Sequence, residues 1–316
     1  MQITRSKIAI VGAGNVGSSF AFALMISGLS REIVLIDSNK TRAIGESMDL
    51  NHGVSFGKPV QVYAGGYEDC FGADVIVITA GARQAPGETR LDLAGRNVEI
   101  FKKIIPQIIK HNSSAILLIV SNPMDVLTYA TIKITAFPTE RVMGSGTVLD
   151  SSRFRYLISK HCNIDPRNIH AYIIGEHGDT ELPVWSHANV GSIPFSRYCS
   201  LCKRPCAGIG ELDKIFEGVK NAAYRIIEAK GATYYAIALA LVRIVEAILR
   251  DENSILPISS LVQDYYGIND VCFGLPSIIN HKGVSNVLGP DLSDYEQQQL
   301  RHSATTLKEI IKGLKL

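Results

Sequence analysis

The sequence has 316 residues, 46% of them hydrophobic and 20% charged, with a formal net charge of +2. Such a length suggests two domains with an extensive core, while near-balanced acids and bases give no field that demands a nucleic acid or a membrane surface as partner. The longest uncharged runs, such as NSSAILLIVSNPM, are too short to cross a bilayer as a helix, and no charged-then-apolar leader precedes the first strand pattern, so a cytoplasmic protein is expected.

The apolar run Ile8 to Val11 is followed by Gly12, Gly14 and Gly17, and SSFAFALMISG then has helical character with Gly28 as its stop. The next apolar run, EIVLIDSN, ends at Asp37. A glycine triplet alone is weak, but a strand before it, a helix after it and an acid about 20 residues on make the dinucleotide fingerprint. Gly12 would allow the tight turn and Gly14 the approach of a pyrophosphate. Gly17 would allow close helix packing, with Asn15 and Val16 completing the phosphate cradle at the helix N-terminus. Asp37 would bind ribose hydroxyls and repel a 2′-phosphate, which favours NAD over NADP.

VQVYAG, ADVIVITAG and SSAILLIVSNP are further short β-branched runs closed by glycine or proline, each a strand pattern. Between the last two, Val98, Phe101, Ile105 and Ile108 fall on one helical face, and Pro106 is expected to kink that helix or mark a restart. RVMGSG is the next strand pattern. Alternating strands and helices with uninterrupted apolar strands predict a Rossmann-type α/β fold, a doubly wound parallel sheet covered on both faces. The expected division is a dinucleotide-binding domain over 1–146 and a mixed α+β substrate domain over 147–316.

Cys199, Cys202 and Cys206 form C-x2-C-x3-C, part of a metal-site pattern, but no second pair follows to complete four ligands. Free thiols and no metal are the expectation. Ile169 to Ile174 has strand character and ends at Gly175; His177 follows, between Glu176 and Gly178. A histidine there is open to three readings: core packing, metal ligation or proton transfer. Asp150 precedes a helical pattern and reads as an N-cap, with Arg153 on the same face three residues later. Arg155 reads as a surface helix residue, His170 as an alternating strand residue and Gln84 as a solvated loop residue. Arg90 lies in a glycine- and proline-containing stretch that reads as a mobile loop leading into a helix, and Asn122 stands at the carboxyl end of a strand, where open α/β sheets bind ligands.

The stretches ARQAPGETRLDLAGRN, VSNPMDV, SGTVLDSSRFR, IIGEHGD and KGATYYAIA occur in that order. In combination they resemble the lactate and malate dehydrogenase superfamily over nearly the whole length, most nearly in its bacterial lactate dehydrogenase pattern. The resemblance implies hydride transfer between NAD and a 2-hydroxy acid. It makes His177 the proton donor and acceptor, with Asp150 orienting it. Arg153 would grip the substrate carboxylate, Arg90 would swing in to polarise the carbonyl, and Asn122 would bond the reacting oxygen. Gln84 stands where malate enzymes carry arginine, and Thr233 narrows the space around a methyl group; both imply pyruvate and lactate. Arg155 and His170 match an effector site for fructose 1,6-bisphosphate between subunits, which further implies a homotetramer.

Overall fold

The computed structural model describes residues 6–83, 87–135, 137–201, 209–314 and 316. The first half alternates as predicted: β1 (Lys7–Val11), α1 (Asn15–Ser27), β2 (Glu32–Ile36), α2 (Lys40–Gly53), β3 (Gln61–Ala64), β4 (Val75–Ile78), α3 (Arg90–His111), β5 (Ile116–Ile119), α4 (Met124–Ile134) and β6 (Val142–Gly144). The second half holds α5 (Val148–Cys162), β7 (Ile169–His170), β8 (Ile173–Ile174), β9 (Leu182–Pro183), β10 (Asn189–Val190) and β11 (Ile193–Pro194). It continues through α6 (Phe195–Leu201), α7 (Ile209–Lys220), α8 (Ala222–Lys230), α9 (Tyr235–Leu249), β12 (Ser254–Val262), β13 (Val271–Asn280), β14 (Gly283–Val287) and α10 (Asp294–Lys312).

Among the described residues, one nine-stranded sheet runs β14-β13-β12-β6-β5-β4-β1-β2-β3. Its last six strands are parallel and stand in the Rossmann order. The strands read as unbroken apolar runs because both faces are covered. Ile8 and Ile10 of β1 point to a core containing Phe20 and Leu24 of α1 and Leu241 and Ile244 of α9. Ala9 and Val11 point to the opposite core, with Phe101 and Ile105 of α3 and Leu127 of α4. This is the period of two of a strand, with a helix layer waiting on each side.

The expected division at 146/147 falls between β6 and α5. The sheet itself continues past it, because Ser259 of β12 pairs antiparallel with Gly144 of β6 and β13 and β14 follow antiparallel.

Two local readings are narrowed by the structure. Pro106 marks no restart: α3 runs from Arg90 to His111 with Pro106 inside it. Pro106 is exposed while Ile104, Ile105 and Ile108 are buried, so the proline ring lies on the solvent side and the apolar face keeps the helix on the sheet. The run Ile169–Ile174 is not one strand either. β7 pairs with β10 and β8 with β9, in two separate small sheets.

Candidate active site

Two regions at the carboxyl ends of the parallel strands hold the candidate residues. In the first, Gly12 has φ of +111° and a Cβ there would lie 2.6 Å from the backbone nitrogen of Ala80, so only glycine fits. A Cβ on Gly17 would land on the carbonyl oxygen of Gly12, whereas Gly14 faces open space. Gly14 is the N-cap of α1, so an uncrowded backbone lies at the positive end of a helix, as a pyrophosphate requires. Asn15 and Val16 form its first turn. Asp37 follows β2, and its Oδ2 accepts the Ala13 N–H at 2.7 Å while Oδ1 accepts the Asn39 N–H at 2.8 Å. These bonds lock the acid against the glycine turn and leave lone pairs for ribose hydroxyls. The residues present fit a dinucleotide. Gly17→Ala is expected to push α1 off β1, costing about 1–3 kcal/mol of stability and weakening NADH binding, which a fluorescence titration of NADH measures.

In the second region, Nδ1 of His177 lies 2.6 Å from Oδ2 of Asp150, and Nη1 of Arg153 donates to Oδ1 of Asp150 at 2.8 Å. Asp150 is not the N-cap expected from sequence but the third residue of α5, whose N-cap is Thr147. The Thr147 hydroxyl donates to the Ile173 carbonyl at 2.6 Å, and the Ile173 N–H donates to Ser151 Oγ at 2.9 Å. These bonds pin the start of α5 to β8 and so place Asp150 beside His177, just beyond that strand. The Asp150 side chain is 2% exposed and that of His177 26%. Asp150's negative charge, joined by its hydrogen bond, outweighs burial and raises His177 to about 9. Burial alone would raise Asp150, but the charges and hydrogen bonds of His177 and Arg153 hold it below its ordinary value.

Arg90 is not on a loop. It is the first residue of α3, where Thr89 and Asp92 form a reciprocal capping box, and that box fixes the helix start at Arg90 itself. Its Nη2 lies 2.6 Å from Oε1 of the fully buried Glu176 and donates to the His177 carbonyl at 3.3 Å. Its Nη1 lies 3.4 Å from Asp179, and Asp179 in turn accepts from the Tyr224 hydroxyl at 2.9 Å. The Thr180 hydroxyl donates to the other oxygen of Glu176.

Asn122 is exposed at the end of β5, with its carbonyl accepting from Asn97 of α3 at 2.6 Å. Thr233 lies half-buried just before α9. Arg155 donates from Nε to the Ala171 carbonyl at 3.0 Å and lies over the Tyr172 ring at 5.2 Å. His170 is exposed on β7, and no hydrogen bond joins it to Arg155 among the described residues. Gln84, Cys202 and Cys206 lie outside the described residues, as does the side chain of Cys199.

Sequence reasoning missed three acids. Asp125, 2% exposed at the start of α4, accepts the His177 N–H at 2.7 Å, and burial raises it to about 6. Glu176 is the ion partner of Arg90. Glu181 places an oxygen within 4.8 Å of Asp150 and His177, the one trio among the described residues with spacing a metal ion could bridge. In that trio Asp150 and His177 already face one another in a hydrogen bond.

A His–Asp–Arg chain built on the buried Asp150, together with a dinucleotide cradle, is what a dehydrogenase needs, and comparison with known proteins decides the family. Residues 6–144 match the family model for the lactate/malate dehydrogenase NAD binding domain, and residues 147–315 the model for the lactate/malate dehydrogenase alpha/beta C-terminal domain. This chain belongs to the lactate/malate dehydrogenase family. NAD is its cofactor. L-lactate dehydrogenase from Acetivibrio thermocellus is 57% identical over 308 residues, covering 98% of this chain and 97% of that one. L-lactate dehydrogenase from Thermoanaerobacterium saccharolyticum is 57% identical over 309 residues, covering 98% and 99%. Among solved structures, the minor L-lactate dehydrogenase from Enterococcus mundtii superposes with a TM-score of 0.95 at 40% identity, covering 98% of this chain and 99% of that one. No helix among the described residues is long and apolar enough to cross a membrane.

Proposed function

We propose that this chain is an NAD-dependent L-lactate dehydrogenase that interconverts pyruvate and L-lactate, with residues 1–146 binding the dinucleotide and 147–316 the substrate. The observation that carries the reading is the chain from His177 through Asp150 to Arg153. NAD carries the hydride. In pyruvate reduction His177 enters protonated and hands its Nε2 proton to the ketone oxygen, while buried Asp150 holds the ring by Nδ1 and stabilises the imidazolium. Arg153 has one N–H on Asp150 and keeps the rest of its fork for the substrate carboxylate. Arg90 leaves Glu176 to polarise the carbonyl, and Asn122 bonds the same oxygen.

Gln84 selects a neutral side chain, since a second substrate carboxylate beside it would be buried unpaired, and Thr233 shapes the space for the methyl group. Arg155 and His170 are the proposed site for fructose 1,6-bisphosphate across a subunit interface of a homotetramer. There, the positive charge of Arg155, with the His170 ring beside it, would be matched by the bisphosphate. The deciding experiment measures NADH oxidation with pyruvate and with oxaloacetate, each with and without fructose 1,6-bisphosphate. Pyruvate is expected to win by more than about tenfold, the difference an unpaired buried carboxylate makes, and the bisphosphate to raise the rate. Preference for oxaloacetate would overturn the role of Gln84. Indifference to the bisphosphate would overturn that of Arg155 and His170.

A further inference from the structure

Glu181 has no task in that reaction, yet it stands at its centre. It precedes β9, and its N–H donates to the Gly178 carbonyl at 3.2 Å, closing the turn that brings residue 181 back towards His177. The residue is only 7% exposed. Its carboxyl oxygen, a carboxylate oxygen of Asp150 and a ring nitrogen of His177 all lie within 4.8 Å of one another. Among the described residues no side chain or N–H donates to that carboxyl.

A largely buried carboxylate that no described residue bonds, next to the ionised Asp150, is costly. Two outcomes relieve it: Glu181 keeps its proton, or its negative charge is matched by the imidazolium. The surrounding charges permit both. Asp150 on α5 opposes ionisation of Glu181; His177, Arg153 on α5 and Lys220 at the end of α7 favour it. On the other side, His177 faces Asp150, Asp125 of α4 and Glu181, all acids. Burial first, and the charge of Asp150 second, raise Glu181 to about 9, the same range to which His177 is raised. Groups this close that titrate in one range lose protons as a pair.

We propose that Glu181 is a positioning residue for the catalytic proton: its carboxyl shares one ionisation with His177, so that the imidazole keeps its acid form to higher pH than Asp150 alone would allow. The idea rests on His177 being the proton donor of the proposed reaction. The charge balance is simple. When the doubly protonated pair loses one proton, part of it leaves from Glu181, and the remaining imidazolium is held by two carboxylates rather than one.

Glu181→Gln removes the ionisation and keeps the shape; Glu181→Asp keeps the ionisation. Two readouts separate a proton-sharing role from packing: the titration of the His177 ring by NMR in the whole protein, and the pH profiles of kcat/KM in both directions. In Glu181→Gln the ring is expected to titrate roughly one pH unit lower, which leaves about tenfold less imidazolium well above the midpoint. The alkaline limb of pyruvate reduction and the acid limb of lactate oxidation should both move down with it, so the loss in reduction grows with pH. Glu181→Asp should recover much of the shift. An unmoved ring titration overturns the proposal, as does a loss of turnover uniform across pH and accompanied by a lower Tm. A shifted ring titration in a protein that turns over no 2-keto acid would uphold the coupling and overturn the dehydrogenase reading.

Discussion

His177→Asn is expected to lower kcat for pyruvate reduction by roughly 10³-fold, the scale of a positioned general acid, while NADH still binds. The reason is positional. Nothing else in the His177–Asp150–Arg153 chain can donate a proton to a ketone: Asp150 is held ionised by its two cationic neighbours, and a guanidinium does not give up its proton in this pH range. Asn can hydrogen-bond Asp150 but brings no proton to transfer. Stopped-flow measurement of NADH oxidation, beside a separate NADH titration, distinguishes lost chemistry from lost binding. Near-normal turnover would remove His177 from the mechanism altogether.

The same geometry fixes the direction of the pH dependence. His177 is raised to about 9 chiefly by Asp150, so the acid form that the proposed mechanism of pyruvate reduction needs is present at neutral pH and lost as pH rises through about 9. Lactate oxidation needs the neutral ring and should gain over that range. Asp150→Asn removes the largest cause of the shift, and the limb should fall toward the ordinary value near 6.5. Stability follows the same signs. The His177 contribution is complete below its unfolded value and disappears as pH rises through about 9. The contribution of Asp150, whose value is lowered, is present above the ordinary carboxylate range and is lost as pH falls below it.

The parts legible in the sequence are those written in neighbouring residues. The turn from Gly12 to Gly17, the acid Asp37 and the apolar runs of β1 to β6 each depend on a few adjacent side chains and a fixed period, so residue order was enough to place them. The five motifs were equally readable by resemblance, because each is a contiguous string. What escaped were pairings between distant segments. Asp125 meets the His177 N–H across 52 positions, and nothing in MDVLT marks that acid as buried rather than solvated. Glu181 looks like any surface acid in DTELP until the Gly178 turn folds it back. The antiparallel addition of β12 to β6 rests on one paired position, Ser259 with Gly144, which no local pattern encodes. Arg90 was misplaced for the opposite reason: glycine and proline at 86–87 outweighed the capping pair Thr89 and Asp92, although that pair is itself local.

Arg90→Gln is expected to damage activity and stability by separable routes. In the structure its guanidinium is held by Glu176 at 2.6 Å and Asp179 at 3.4 Å, so the proposed polarisation of the substrate carbonyl requires it to exchange these partners. Loss of a charge aimed at the developing oxyanion should lower kcat/KM for pyruvate by about 10²–10³-fold. Independently, Glu176 is left fully buried without its cation. Removal of one partner from a buried pair costs about 3–5 kcal/mol. Because the Arg90 side chain is 32% exposed, solvent screening brings the expected loss here to about 2 kcal/mol. The double variant Arg90→Gln with Glu176→Gln removes both charges and should recover most of the Tm without recovering turnover. If turnover returned together with stability, Arg90 would be a tie between α3 and the His177 turn and nothing more. If the single variant kept full activity and lost only stability, carbonyl polarisation would have to come from Asn122 and His177 alone.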